Sequence, residues 1–429
     1  MSLSFLSLVA IFVALAILRV PIAIALIAAG MGYLILAGQD PGLVAEQIMN
    51  RLYSSYVLLA IPMFILAANA MNAGTISERL WRAADRLVGR FRGGLGHITV
   101  LTSLVFASMS GSAVADAAGP GMIAMRMMRQ VGGYRPGFAV ALTAAAATIA
   151  PIIPPSIPMV LYALNANTSV GAMFLAGIGP GLLMGVALMA TIALIARPMD
   201  LPAGRPPDKR SLSESLMTLP ALSLPVLLLG GIWSGAFTPT EAAAVAALYA
   251  LAIAGIIYRA LDLKAVAAVF VESMRSSVVV ILLIAGAFFV NYAVTAERLD
   301  RELAGWIVGQ ELSPLAFLLV VNVVFLLLGC LIDTGTLLLV VVPVLLPSVT
   351  ALGIDPVHFG VVVVVNLMIG LITPPFGLLL FVLGRLIDVP LMPVVRALWP
   401  FLIALVVVLI AITYVPVISL GLPRLFGFL

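Results

Sequence analysis

This sequence has little of what a soluble domain shows to water. Asp, Glu, Lys and Arg supply 9% of its 429 residues, against about a quarter in soluble domains. No soluble fold of this length can cover so much apolar surface, so the solvent has to be lipid. Cysteine occurs once, as Cys330, which excludes an intrachain disulfide framework. With only His97 and His358 beside it, the sequence argues against a His/Cys metal centre, and Cys330 reads as a small apolar residue. There is no Gly-x-x-x-x-Gly-Lys-[Ser/Thr] loop and no polar stretch to hold a nucleotide-driven motor. Nothing in the charge pattern points to nucleic acid.

What remains is 63% hydrophobic, with a mean hydropathy of +1.24. Apolar blocks of about 20 residues, the length a spanning helix needs, alternate with short charged stretches. The apolar start from Leu3 to Leu18 lacks a basic leader and a small-residue cleavage site, and reads as a retained span. Net charge is +4, in keeping with an inner-membrane protein whose cytoplasmic loops favour Lys and Arg.

The blocks are written twice. Ile149-Ala150-Pro151-Ile152-Ile153-Pro154-Pro155 is matched by Ile369-Gly370-Leu371-Ile372-Thr373-Pro374-Pro375. Gly133 and Pro136 precede the first as Gly353 and Pro356 precede the second, and Ser54, Ser55, Val57 and Asn69 answer Ser276, Ser277, Val279 and Asn291. The offset is about half the chain throughout. Two copies of one unit, each with a proline-broken helix in lipid, are the pattern of secondary transporters.

Charge decides the threading. Residues 95–125 form an apolar block interrupted at Ser108-Met109-Ser110-Gly111-Ser112, with Arg90 and Arg92 before it and Arg126, Arg129 and Arg135 after it. Both its ends read as cytoplasmic, which makes it a re-entrant hairpin. Residues 314–347 are interrupted at Gly329 to Gly335 and flanked by Glu302, Glu311 and Asp355, so this hairpin enters from the periplasm. Arg197, Arg205, Lys209, Arg210, Arg259, Lys264, Arg275, Arg385 and Arg396 then fall inside. Ten full crossings put both termini in the periplasm. The expected fold is an all-α polytopic membrane protein built as an inverted-topology repeat, with two re-entrant hairpins and two broken transmembrane helices. Segment 77–92 reads as an amphipathic interfacial arm, with Leu80, Trp81, Ala84, Leu87 and Val88 on one stripe.

Irregular backbone at membrane depth survives only where protein, water or an ion satisfies it. Each copy offers a hairpin tip and a Pro-Pro break, hence hydroxyls and free carbonyls, which suit a hard cation. In the first copy the candidates are Ser108 and Ser112 with the carbonyls of Ala150, Ile153 and Pro155. In the second they are Gly329, Asp333, Thr334, Gly370, Thr373 and the carbonyl of Phe376. Ser110, Asp116, Ser156 and Thr336 are candidates for an anion-binding cavity between them. Asp116 and Asp333 stand out, because a carboxylate in the membrane is expensive. Each could serve a ligand or cap the helix after its tip. Small residues at these positions also have a plainer reading, the close approach of helices. Asn69 and Asn291 read as helix bridges, and Glu241 as a helix cap.

At these motifs the chain resembles the large membrane subunit of tripartite ATP-independent periplasmic (TRAP) transporters. The resemblance rests on Ser110 to Asp116, Pro151 to Ser156, Phe237 to Ala246, Asp333-Thr334, Ile372 to Gly377 and the closing Leu422-Pro423-Arg424. It implies sodium-coupled import of a small organic anion of the carboxylate class, without a cofactor. It also implies two partners, a small four-helix membrane subunit and a periplasmic substrate-binding protein, and an elevator motion of hairpin-bearing segments against a scaffold. The sodium sites it implies coincide with the tips and breaks named above, although Ala150 stands where the family often has glycine. On this reading residues 1–72, 169–294 and 389–429 are scaffold, and 73–168 and 295–388 carry the arms, hairpins and broken helices. The alternatives are a single-subunit sodium/dicarboxylate symporter or exchanger and an intramembrane enzyme using Asp116 and Asp333.

Overall fold

The structure is a computed structural model and describes residues 2–73, 76–202 and 218–429. Arg205, Lys209 and Arg210 of the central basic loop lie outside the described residues. Within them, all regular secondary structure is helical. In the first half the helices are α1 (Leu3–Ile17), α2 (Ile22–Leu36), α3 (Pro41–Ser54), α4 (Tyr56–Ala73), α5 (Ile76–Val88), α6 (Gly94–Ser110), α7 (Ala113–Ala118), α8 (Pro120–Gln130), α9 (Pro136–Ala147), α10 (Ile157–Ala166) and α11 (Val170–Ala196). The second half has α12 (Leu219–Trp233), α13 (Pro239–Ile257), α14 (Leu263–Ala296), α15 (Leu299–Gly309), α16 (Pro314–Gly329), α17 (Thr334–Ala351), α18 (Pro356–Gly370), α19 (Leu378–Leu386), α20 (Leu391–Tyr414) and α21 (Val417–Leu425).

Six of these, α4, α11, α13, α14, α17 and α20, are long and apolar enough to cross a membrane. Of the ten expected crossings, the two broken ones divide into the halves α9/α10 and α18/α19, while α1, α2 and α12 stop at 15 residues each. A helix of that length rises about 22 Å, short of a 30 Å core. Val271, Met274, Val278 and Leu282 recur at helical spacing on α14 and are exposed, the face that lipid covers.

Helix ends follow local chemistry. Ser169, Asp262 and Ser313 accept the third backbone N–H of the helices they start. Thr238 and Glu241 form a reciprocal capping box on α13, and Thr240 Oγ1 donates to the Tyr56 carbonyl at 3.0 Å, pinning α13 to α4. Gly133 and Gly353 adopt φ of +65° and +67° in matching turns before the two broken helices, a conformation that costs glycine nothing.

The halves pack by exchange. Helix α4 lies along α13, whereas its counterpart α14 lies along α2. Helix α9 lies along α20 and α18 along α11. Neither half buries its own apolar faces alone. Directions follow from close contacts. A β-carbon built on Gly137, at the start of α9, would meet the Pro393 backbone at 2.8 Å, at the start of α20. His358, at the start of α18, bonds Thr413 at the far end of α20. The two broken segments therefore run in opposite directions along one 24-residue helix.

Two more pairs settle the interrupted segments. Gly96 lies against Leu142 and Gly111 against Pro155, so α6 and α9 run the same way and the chain between them returns. Likewise Asn322 meets Asn366 and Gly329 meets Gly370, so α16 and α18 run together and α17 returns. The two turns are built differently. Helix α8 folds back on α6, while α17 packs on α15 and shares little contact with α16. The expected arm, α5, packs on α6 and buries Leu80, Trp81 and Ala84, but Leu87 stays exposed.

One contact ties the halves at the start of α18. The fully buried Tyr162 of α10 lies on Gly360, where a β-carbon would be 2.3 Å from the ring, and its hydroxyl donates to the Pro356 carbonyl at 2.5 Å. Gly360→Leu should destabilise the folded protein by about 2–4 kcal/mol through overpacking. Gly230→Leu, where a β-carbon meets nothing within 4 Å, should be close to neutral. Thermal unfolding of the two variants in detergent, compared side by side, checks this.

Candidate functional site

Both breaks are real interruptions. Helix α9 stops at Ala147 and α10 begins at Ile157; α18 stops at Gly370 and α19 begins at Leu378. Paired prolines at 154–155 and 374–375 have no N–H to continue either helix.

In the first half, tip and break touch. Gly111 turns the chain with φ +60°, and a β-carbon there would sit 2.2 Å from the Pro155 carbonyl oxygen. Only glycine lets the tip rest on the break. Beside it, Ser112 caps α7, its Oγ accepting the Ala115 N–H at 3.4 Å, and Ser108 Oγ donates to the Val105 carbonyl at 2.5 Å. No hydrogen bond among the described residues reaches the carbonyls of Ala150, Ile153 or Pro155. A buried carbonyl without a donor costs about 1–3 kcal/mol, which leaves each of these oxygens open to a cation.

The second half repeats the juxtaposition. A β-carbon on Gly370 would approach the Gly329 backbone to 2.8 Å. No hydrogen bond among the described residues reaches the carbonyls of Gly329 or Phe376, and that of Gly370 takes the Thr373 N–H at 3.0 Å, which leaves it a second lone pair. Thr373 Oγ1 donates to the Ile369 carbonyl at 2.8 Å, and its own lone pairs stay available. Asp333 caps α17, accepting the Thr336 N–H at 3.2 Å. Thr334, next to it, is half-buried. Gly329, Asp333 and Phe376 line one cavity of about 470 Å³, with Arg385 as the cation in its wall. Arg385 read in sequence only as a cytoplasmic flank; nothing local signals that its side chain lines the cavity at the tip.

The four anion-cavity candidates lie elsewhere. Ser156 is fully buried; it caps α10 by accepting the Met159 N–H at 3.2 Å and donates to the Pro151 carbonyl. Asp116 is fully enclosed and takes the Ser103 hydroxyl at 2.8 Å. It does not cap α7, a role Ser112 holds. Ser110 and Thr336 are buried with hydroxyls that have no partner. Asp116 and Asp333 are not a facing pair, since one is sealed against Ser103 and the other opens on the cavity.

Sequence reading missed the irregular turn of α17. Residues Leu337–Val341 form a π-helical turn just past the second tip, a distortion frequent at functional sites. Asn165 and Asn291 donate to the Leu338 and Leu339 carbonyls at 3.1 and 3.0 Å. Asn291 thus bridges α14 to α17, and Asn69 bridges α4 to α14 through Ser273 at 2.9 Å.

Comparison with known proteins agrees with this architecture. The chain is 41% identical over 410 residues to the sialic acid TRAP transporter large permease protein SiaM of Vibrio cholerae, covering 95% of both chains. It is 43% identical over 373 residues to the C4-dicarboxylate TRAP transporter large permease protein DctM of Pseudomonas aeruginosa, covering 87% of each. Among solved structures, the YdaH transporter of Alcanivorax borkumensis shares the fold at a TM-score of 0.60, with 17% identity over 84% of each chain. The family model of the tripartite ATP-independent periplasmic transporter, DctM component, matches residues 9–418. This chain belongs to that family, as a large permease of a tripartite ATP-independent periplasmic transporter.

Proposed function

We propose that the protein imports a small organic anion of the carboxylate class across the bacterial inner membrane, driven by sodium. The observation that carries this reading is the contact of tip and break in both halves, each with backbone carbonyls that lack donors and with hydroxyl or carboxylate oxygens on the same short segments. Sodium prefers such an all-oxygen site. The first set is Ser108, Ser112 and the carbonyls of Ala150, Ile153 and Pro155. The second is Gly329, Asp333, Thr334, Gly370, Thr373 and the carbonyl of Phe376. Sodium bound at both would fix the tips against the breaks. The cavity beside Asp333 is large enough for a small organic acid, and Arg385 offers its guanidinium to a carboxylate. The relatives' names point the same way, one to sialic acid and one to C4-dicarboxylates.

The opposed broken segments support an inverted-topology repeat with hairpins entering from opposite faces. An elevator motion follows from it, in which tips and breaks move as one body against α2, α4, α13 and α14. Helices α11 and α20, which the sequence reading places in the scaffold, pack directly on the broken segments, and we group them with the moving body instead. A small four-helix membrane subunit covers part of the scaffold, and a periplasmic binding protein delivers the substrate.

The test is uptake in proteoliposomes holding the permease with its small subunit, supplied with substrate-loaded binding protein and an imposed sodium gradient. Uptake should stop when potassium or choline replaces sodium outside; uptake that persists unchanged would sink the sodium assignment. Ser112→Ala and Thr373→Ala should each raise the half-saturating sodium concentration by about three- to tenfold, the worth of one weak oxygen ligand. Both variants should remain folded in the membrane. Unaltered sodium dependence in both would count against these positions.

A further inference from the structure

A buried polar chain crosses four helices of the second half without touching the cavity. Asn366 of α18 is fully buried; its Nδ2 donates to both the Asn322 carbonyl at 2.9 Å and the Asn322 Oδ1 at 3.0 Å on α16. Asn322 Nδ2 donates to Thr413 Oγ1 of α20 at 2.9 Å. From there His358 links the Thr413 carbonyl at 3.2 Å and Ser419 Oγ of α21 at 2.8 Å. In lipid such bonds are directional contacts between otherwise sliding apolar helices.

The place of this chain gives it a use. Gly370 follows Asn366 by four residues, one helical turn, and Gly329 follows Asn322 by seven, two turns. The Asn322–Asn366 bond is therefore the last polar contact fixing α16 against α18 before Gly329 meets Gly370. A slip of either helix would change the distance between tip and break. The first half has no such device, because Thr102 and Ala146 stand 220 residues before Asn322 and Asn366.

We propose that Asn366 is the positioning residue of the second sodium site, setting the register at which the tip at Gly329 meets the break at Gly370. It touches neither ion nor substrate in this scheme; it acts through α16. The proposal rests on the sodium reading given above, and its test separates the two. Wild-type uptake without sodium dependence would end that reading whatever Asn366 does.

Given sodium-dependent wild-type uptake, Asn366→Val should raise half-saturating sodium about tenfold and lower the Hill coefficient towards that of a single sodium ion. Substrate KM at saturating sodium should not move. Asn322→Val should do less, because its backbone carbonyl still accepts from Asn366. A merely structural role would reduce the maximal rate in step with the amount of folded protein and leave half-saturating sodium in place. That pattern overturns the proposal, as does an equal effect of the two variants. Should Asn366→Val not fold, Asn366→Ser, which keeps a donor on a shorter arm, replaces it in the same titration and should raise half-saturating sodium by less than about tenfold; no shift at all refutes the assignment.

Discussion

The structure depends on one constraint: every backbone N–H and C=O within the bilayer needs a partner. Uninterrupted helices meet it alone. Tips and breaks cannot, and the fold meets the constraint by pressing one irregular point on another. Gly111 rests on Pro155 and Gly329 on Gly370, and the amides of Asn165 and Asn291 cover the carbonyls loosened by the π turn of α17. The carbonyls left over are not scattered. They belong to the tips and breaks themselves, the positions at which we propose that sodium binds.

Exchange between halves explains why this arrangement holds. With α9 on α20 and α18 on α11, each broken segment is braced by the long helix that follows the other. Small residues make this possible. Gly177 lies where a β-carbon would be 2.2 Å from the Ile152 carbonyl, so α11 packs directly on the first break, and Gly137 brings α9 onto α20. Substituting Gly137 would push the first half from the second, whereas substituting Gly177 would lift α11 from the break of its own half.

Much of this was legible in the sequence, for a physical reason. Proline pairs stop helices through covalent geometry, so the breaks at 148–156 and 371–377 could be read without tertiary knowledge. The repeat offset located the partner of each. Caps were less certain. Asp116 has the composition of a cap but sits one turn too late, and Ser112, directly before the helix, takes the role. Cavity assignments were the least legible. Ser156 and Asp116 are polar and near the breaks, yet their hydroxyl and carboxyl turn inward to local partners. Arg385 lines the cavity although in sequence it reads only as a charged flank, because no local signal reports which way its side chain points. Rotation about a helix axis decides such questions, and in helices apolar all round no periodicity reports it.

The halves are alike in plan and unlike in how their tips are held, and the difference is written in a few residues. The first tip is a tight turn on a left-handed glycine, with α8 folded back onto α6. The second passes through Cys330 to Asp333 into a π turn, and its return helix leans on α15 instead of α16. A tip that does not pack on its own first arm needs its register fixed by something else. The Asn322–Asn366 bond lies where that requirement arises, and the first half, whose arms hold each other, has threonine and alanine there. The return helix that packs away from its first arm and the polar chain beneath the tip are thus two sides of the same departure from symmetry.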